Sequence, residues 1–289
     1  MDILISILFG IVEGITEWLP ISSTGHLILL EQFLNFNNVS ENFFDMFEVV
    51  IQLGAILAVV VMYWKNIFPF TNKKDRGYKK TGFLSHVDKN IMGMWGKILV
   101  ACIPAAVIGL LFDDKINELF YNPTVIAIAL IVFGIAFIFI ENWHKSRKSE
   151  PRVNNALQIT YRDALIIGVF QLIAAIFPGT SRSGATIIGG LLIGLSRVTA
   201  AEFTFYLAIP VMFGASLLKL IKFGLAFTGT ELAILIVGMV VAFIVSVLVI
   251  KFLMSYIKKH DFKVFGWYRI ILGILVLATL AVSYTHLTL

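Results

Sequence analysis

Residues 13–26 read EGITEWLPISSTGH, inside sequence otherwise built from Ile, Leu, Val and Phe. The stretch holds two carboxylates (Glu13, Glu17), three consecutive hydroxyls (Ser22, Ser23, Thr24) and an imidazole (His26). On a helix, carboxylates four positions apart share a face, about 6 Å apart along the axis. Two like charges in a low-dielectric setting need a cation between them, a shared proton or a basic partner. A second stretch, residues 171–186, reads QLIAAIFPGTSRSGAT and carries the missing base, Arg182. Gly179 and Gly184 allow close backbone approach there, and Ser181, Ser183 and Thr186 add hydroxyls. Shifting the first stretch by 158 positions lays Gly10 on Gly168, Glu13 on Gln171, Pro20 on Pro178 and Ser23 on Ser181.

Brought together, the two stretches make a phosphate site. Each polar turn precedes a short apolar piece whose free N–H groups would bind an anion if it is helical. An arginine fork adds bidentate recognition of phosphate oxygens. The carboxylates would repel such a ligand unless a divalent cation bridges them, and Mg²⁺ or Ca²⁺ suits an all-oxygen donor set. Plainer roles exist for each residue. The glutamates could hydrate a vestibule, the Ser and Thr run could only cap a helix, His26 could be a satisfied core residue, and Arg182 could pair with Glu13 or Glu17 to join two halves. None of these accounts for three hydroxyls followed by Gly25 and His26, or for the Gly-Ser richness around Arg182.

The elements that must position these residues are membrane elements. The chain is 58% hydrophobic and only 14% charged, with a mean hydropathy of +0.90, where a soluble domain carries about 25% charged residues. The one cysteine, Cys102, excludes an internal disulfide. No cleavable leader pattern is legible at the start, and the net charge of +5 reflects loop lysines and arginines, so nucleic acid is not an expected partner. Residues 3–36 are two short apolar pieces around the PISSTG break, too short to span singly, and read as a re-entrant pair. Spans are expected at 47–64, 91–111 and 123–140, then a basic, helix-poor linker at 142–162. Residues 164–195 form a second re-entrant pair around PGTSRSG, followed by spans at 202–220, 232–250 and 267–282; 283–289 reads as a frayed end or a foreign remnant. The fold class is therefore an all-α polytopic membrane protein. A first repeat, 1–141, and a second, 163–282, each hold one re-entrant pair plus three spans, an odd number of crossings that turns the second half upside down. The loops assigned to one face (65–90, 142–162, 196–201, 251–266) carry 17 Lys and Arg against 2 on the other. The basic face is then cytoplasmic and both termini lie outside.

Glu13 and Glu17 with WLPISSTGH at 18–26, PGTSRSGAT at 178–186, and FEVVIQLGAILAVV at 47–60 resemble the bacterial undecaprenyl-diphosphate phosphatases of the bacitracin-resistance type. The similarity runs over nearly the whole chain and stops at the tail. It implies a plasma-membrane enzyme opening to the outer side, which removes the terminal phosphate of a C55 polyprenyl diphosphate in a divalent-metal-dependent reaction. The product is the carrier lipid of wall synthesis, and sensitivity to bacitracin falls. By position, the resemblance implies metal binding or proton transfer at Glu13 and Glu17, a nucleophile at Ser23 with His26 as acid or base, and phosphate binding by Arg182, Ser181, Ser183, Thr186, Gly179, Thr24 and Ser22. Direct attack by a water held by Glu17 stays open beside the covalent route. A transporter or lipid flippase is the rival class, since inverted repeats with broken helices are also a transporter plan. Polyprenyl diphosphate and membrane lipids are the expected partners, and the oligomeric state is left open, a homodimer included.

Overall fold

The computed structural model describes residues 1–31, 33–37, 39–70, 87–146, 150–224 and 226–287. The expected lysine-rich loop at 65–90 thus falls largely outside the described residues, as do positions 147–149 of the linker. Among the described residues there are twelve α-helices, and six helical stretches are long and apolar enough to cross a membrane. The two short pairs are present: α1 (Asp2–Thr16) with α2 (Ser23–Glu31), and α8 (Tyr161–Ile176) with α9 (Arg182–Leu192). The first crossing runs Phe43–Met62, assembled from α3 (Phe43–Val50) and α4 (Gln52–Met62) with a break at Ile51, and is followed by the short α5 (Trp64–Ile67). α6 (Lys89–Phe120) and α7 (Pro123–Ser146) complete the first half; α10 (Arg197–Phe223), α11 (Gly229–Ile257) and α12 (Lys263–Leu287) complete the second.

Element type and order agree with the sequence reading, and the ends differ. α7 continues to Ser146 and α10 starts at Arg197, because a helix leaving the apolar layer keeps its backbone bonds where nothing breaks it. α12 runs to Leu287, into the segment expected as a frayed end or a foreign remnant, with no Gly or Pro after Gly273 to stop it. Caps place several starts. Thr160 and Asp163 form a reciprocal box on α8, Thr228 and Glu231 do the same on α11, and Ser196 accepts from Thr199 N on α10.

Close backbone contacts tie the halves together. A Cβ on Gly10 of α1 would lie 2.7 Å from Gly238 O on α11, and one on Gly168 of α8 would lie 2.5 Å from Ala101 O on α6. The first helix of each pair therefore packs on the middle crossing of the other half. Gly134 of α7 and Gly266 of α12 each place a Cβ 2.7 Å from the other's carbonyl oxygen, while Gly273 meets Ala127. The rising number on one helix meets a falling number on the other, so α7 and α12 are antiparallel. Small residues at such crossings let backbones touch where lipid offers no hydrophobic drive. Side chains such as Leu99, Ile103, Ile135 and Leu248 stand exposed on the outer faces of the crossings, as expected where hydrocarbon is the solvent.

Candidate active site

Both polar stretches form tight turns that launch a half-helix. α1 stops at Thr16, and Pro20, lacking an N–H, prevents its continuation. Ser22 adopts φ 76°, and its Oγ accepts from Gly25 N at 3.3 Å, which starts α2 at Ser23. In the second turn Ser181 adopts φ 70°, its Oγ accepts from Gly184 N at 3.2 Å, and α9 starts at Arg182. Non-glycine residues at positive φ cost of order 1–3 kcal/mol each and cluster where geometry is over-determined by function. Gly179, at φ 88°, has no alternative, since a Cβ there would lie 2.6 Å from Ile126 O. The caps refine the repeat register. Ser22 corresponds to Ser181 and Gly25 to Gly184, one position beyond the 158-residue shift, because two residues rather than one separate the proline from the capping serine in the second turn. Ser23 and Arg182 are consequently the first residues of their two half-helices.

These two side chains meet on Glu17. Ser23 Oγ donates to Glu17 Oε2 at 2.6 Å, and Arg182 Nη2 donates to Glu17 Oε1 at 2.7 Å. The ion pair is secluded, with side chains 15% and 7% exposed for Arg182 and Glu17. Arg182 also reaches Thr204 O at 3.4 Å and Met212 Sδ at 3.3 Å, while Ser183 Oγ donates to Glu17 O at 3.1 Å. A cavity of about 170 Å³ opens over this chain of contacts, lined by Glu17, Ser22, Ser23, Thr24, Gly179, Ser181, Arg182 and Ser183. Its lining also includes Gln52 of α4, Ala174 of α8, Pro178, and Val211, Met212 and Ala215 of α10. The lining thus combines carboxylate, hydroxyl and guanidinium groups with apolar side chains, the mixture that a lipid carrying a phosphate head requires.

Glu13 lies one turn back along α1. It is fully buried, and among the described residues neither carboxylate oxygen has a hydrogen-bond partner. The charged groups acting on it are Glu17, Glu48 and Arg182, so carboxylates outnumber cations around two orphaned hard oxygens. A divalent cation fits that donor set. Among the described residues no three His, Cys, Asp or Glu side chains converge as a complete cage, so the remaining oxygens would come from hydroxyls, water or substrate phosphates.

Residues 6–275 match the family model described as bacitracin resistance protein BacA. The chain belongs to this family. It is 65% identical over 277 residues to the undecaprenyl-diphosphatase of Desulfitobacterium hafniense, covering 96% of this chain and 95% of that one. It is 60% identical to undecaprenyl-diphosphatase 1 of Clostridium acetobutylicum, covering 96% and 97%, and 58% identical to the undecaprenyl-diphosphatase of Enterococcus faecalis, covering 98% of each.

In this BacA-family chain, most of the residues singled out in the sequence gather at the cavity, and three stand away from its wall. Glu13 is one turn behind. Thr186 is buried in α9, donating to Arg182 O at 2.9 Å and sharing a bond with Thr204 Oγ1 at 2.8 Å. His26 faces α12: Nδ1 bonds Ser22 O at 2.7 Å, Nε2 bonds Tyr268 OH at 2.7 Å, and the two rings stack at 6°. With both ring nitrogens engaged, His26 braces the start of α2. Sequence reasoning passed over Gln52, whose signal was a lone amide inside an apolar span. It also passed over Arg269, a lone cation in the apolar run GWYRIILGILVL.

Proposed function

We propose that the chain is an integral-membrane phosphatase that hydrolyses undecaprenyl diphosphate to undecaprenyl phosphate and inorganic phosphate. The observation that carries the reading is the Ser23–Glu17–Arg182 chain, with contacts of 2.6 Å and 2.7 Å, built from both polar turns beside a half-apolar cavity. The family membership and the names of the relatives supply the substrate. Recycling the carrier lipid feeds wall-polymer synthesis, and depleting the diphosphate removes the species that bacitracin sequesters.

The residues divide the reaction as follows. Arg182 and the N-terminal N–H groups of α9 hold the terminal phosphate and take up charge on its equatorial oxygens. Glu17 accepts the Ser23 proton as Oγ attacks the terminal phosphorus. The Oγ–P bond forms while the bridging P–O bond breaks, and undecaprenyl phosphate leaves with the electron pair. Glu17 passes that proton to the departing phosphate oxygen of undecaprenyl phosphate and so returns to the carboxylate. It then takes a proton from the water that attacks the phosphoserine, and gives it to Ser23 Oγ as the Oγ–P bond breaks and inorganic phosphate leaves. Glu13 and Glu17 would hold a divalent cation, which supplies Lewis-acid neutralisation of the phosphate oxygens when bound. The 2.6 Å contact of Ser23 with a carboxylate favours the covalent route over direct attack by water, because the hydroxyl is already aligned with its base.

The two halves are read as an inverted repeat. The antiparallel pair α7 and α12 and the matched packing of α1 on α11 and of α8 on α6 support this. The basic loops then face the cytoplasm, and the cavity opens to the outer side of the bacterial plasma membrane. The protein purified in detergent is expected to release phosphate from undecaprenyl diphosphate without any second compartment, and a quenched reaction should yield phosphorylated Ser23. No phosphate release would leave transport as the function. Wild-type turnover in Ser23→Ala would eliminate the covalent step.

A further inference from the structure

Among the described residues, α12 contributes none to the cavity lining, yet it carries a fully buried guanidinium, Arg269. Nη1 donates to Pro20 O at 3.2 Å, and Nη2 donates to Gly179 O at 2.9 Å and to Thr180 O at 2.7 Å. Nε reaches Leu130 O at 3.5 Å, and the guanidinium lies 5.8 Å from the centre of the Phe133 ring. Pro20 belongs to the first turn, Gly179 and Thr180 to the second. Pro20 and Gly179 each stand three residues before a reacting side chain, Ser23 and Arg182. Turn carbonyls have no helical partner and are expensive to bury unsatisfied. A planar fork of five donors can serve several at once in a fixed geometry, which an ammonium cannot. The acceptors found for Arg269 among the described residues are backbone carbonyls rather than carboxylates, so the charge is spent on the two turns and not on an ion pair. Gly184, in the first turn of α9, is bare on the side facing Arg269, where a Cβ would lie 2.9 Å from Nη1.

We propose that Arg269 is a positioning residue that ties the two polar turns together, holding Ser23 and Arg182 in register on Glu17. The proposal deepens the phosphatase reading and rests on it for its kinetic consequence. Undecaprenyl diphosphate turnover and hydrogen exchange are measured on monodisperse wild type, Arg269→Met, Arg269→Lys and Gly184→Ala. Arg269→Met lowers kcat at least 100-fold with KM within threefold, and amides of 19–25 and 178–184 exchange faster while those of the crossings stay protected. Arg269→Lys stays within tenfold of Arg269→Met, since one ammonium cannot span both turns. Gly184→Ala lowers kcat about tenfold in the wild-type background and less than twofold in Arg269→Met, because the group it displaces is gone. Lower thermal stability with wild-type kcat per folded molecule, additive effects in the double variant, or wild-type kcat in Arg269→Lys would each overturn the proposal. If Arg269→Met does not fold, the Arg269→Lys and Gly184→Ala measurements decide. If wild type releases no phosphate, it is the phosphatase reading that fails. Exchange at the two turns then decides the tie by itself, and unchanged exchange there would overturn it.

Discussion

Glu17→Gln is the sharpest perturbation of the proposed chemistry. The substitution keeps side-chain size and one acceptor oxygen but removes the charge that receives Ser23 Oγ at 2.6 Å and Arg182 Nη2 at 2.7 Å. Loss of a positioned general base costs about 10²–10⁴-fold in rate, equivalent to about 2.7–5.4 kcal/mol at 1.36 kcal/mol per tenfold. Both partners of the ion pair are secluded, and removing one member of such a pair costs about 3–5 kcal/mol of stability. The lower end is expected, because Arg182 keeps Thr204 O and faces the cavity. Phosphate release from undecaprenyl diphosphate in micelles, read beside a denaturation curve, separates the two effects. A kcat/KM at least 100-fold below wild type is expected in folded protein, with nothing restored by tenfold more Mg²⁺. A value within fivefold of wild type would refute the assignment of Glu17 as the base. Restoration by Mg²⁺ would leave Glu17 a metal ligand only.

Other outcomes follow from the same geometry. Chelation should silence the wild type, and Glu13→Ala should raise the Mg²⁺ concentration for half-maximal turnover about tenfold or more; an unchanged Mg²⁺ titration would remove Glu13 from the donor set. Glu141 is buried and takes a two-pronged bond from Arg197 as well as Phe262 N at 2.9 Å. Glu141→Ala should therefore cost about 3 kcal/mol in denaturant unfolding, while turnover per folded molecule stays at the wild-type level. Gly168→Val would place a Cβ 2.5 Å from Ala101 O, prying α8 from α6. A loss of about 1–3 kcal/mol is expected from such overpacking, and a thermal melt like that of wild type would contradict the close crossing.

Much of this protein was legible before any contact was known. Hydrophobic runs and proline breaks marked both short helix pairs and, among the described residues, the six helices long and apolar enough to cross a membrane, because a bilayer demands about 20 apolar residues per helix whatever surrounds it. Glu17, Ser23 and Arg182 stood out because polar groups inside apolar sequence are costly to keep. The ends of α7, α10 and α12 were missed, since beyond the apolar layer nothing in hydropathy marks where a helix stops.

What sequence alone determined is the all-α set of long apolar helices and the inventory of polar groups, both set by local hydrophobicity. Tertiary structure decided their pairing. Glu17 takes an arginine 165 positions away, His26 turns to Tyr268, 242 positions away, and Arg269 closes on both turns. The additional residue between Pro178 and Ser181 sets Ser23 opposite Arg182, where a uniform shift would have paired it with Ser181. Such pairings depend on which helices pack at backbone contact, as at Gly10, Gly168 and Gly134, and that is a property of the assembled chain.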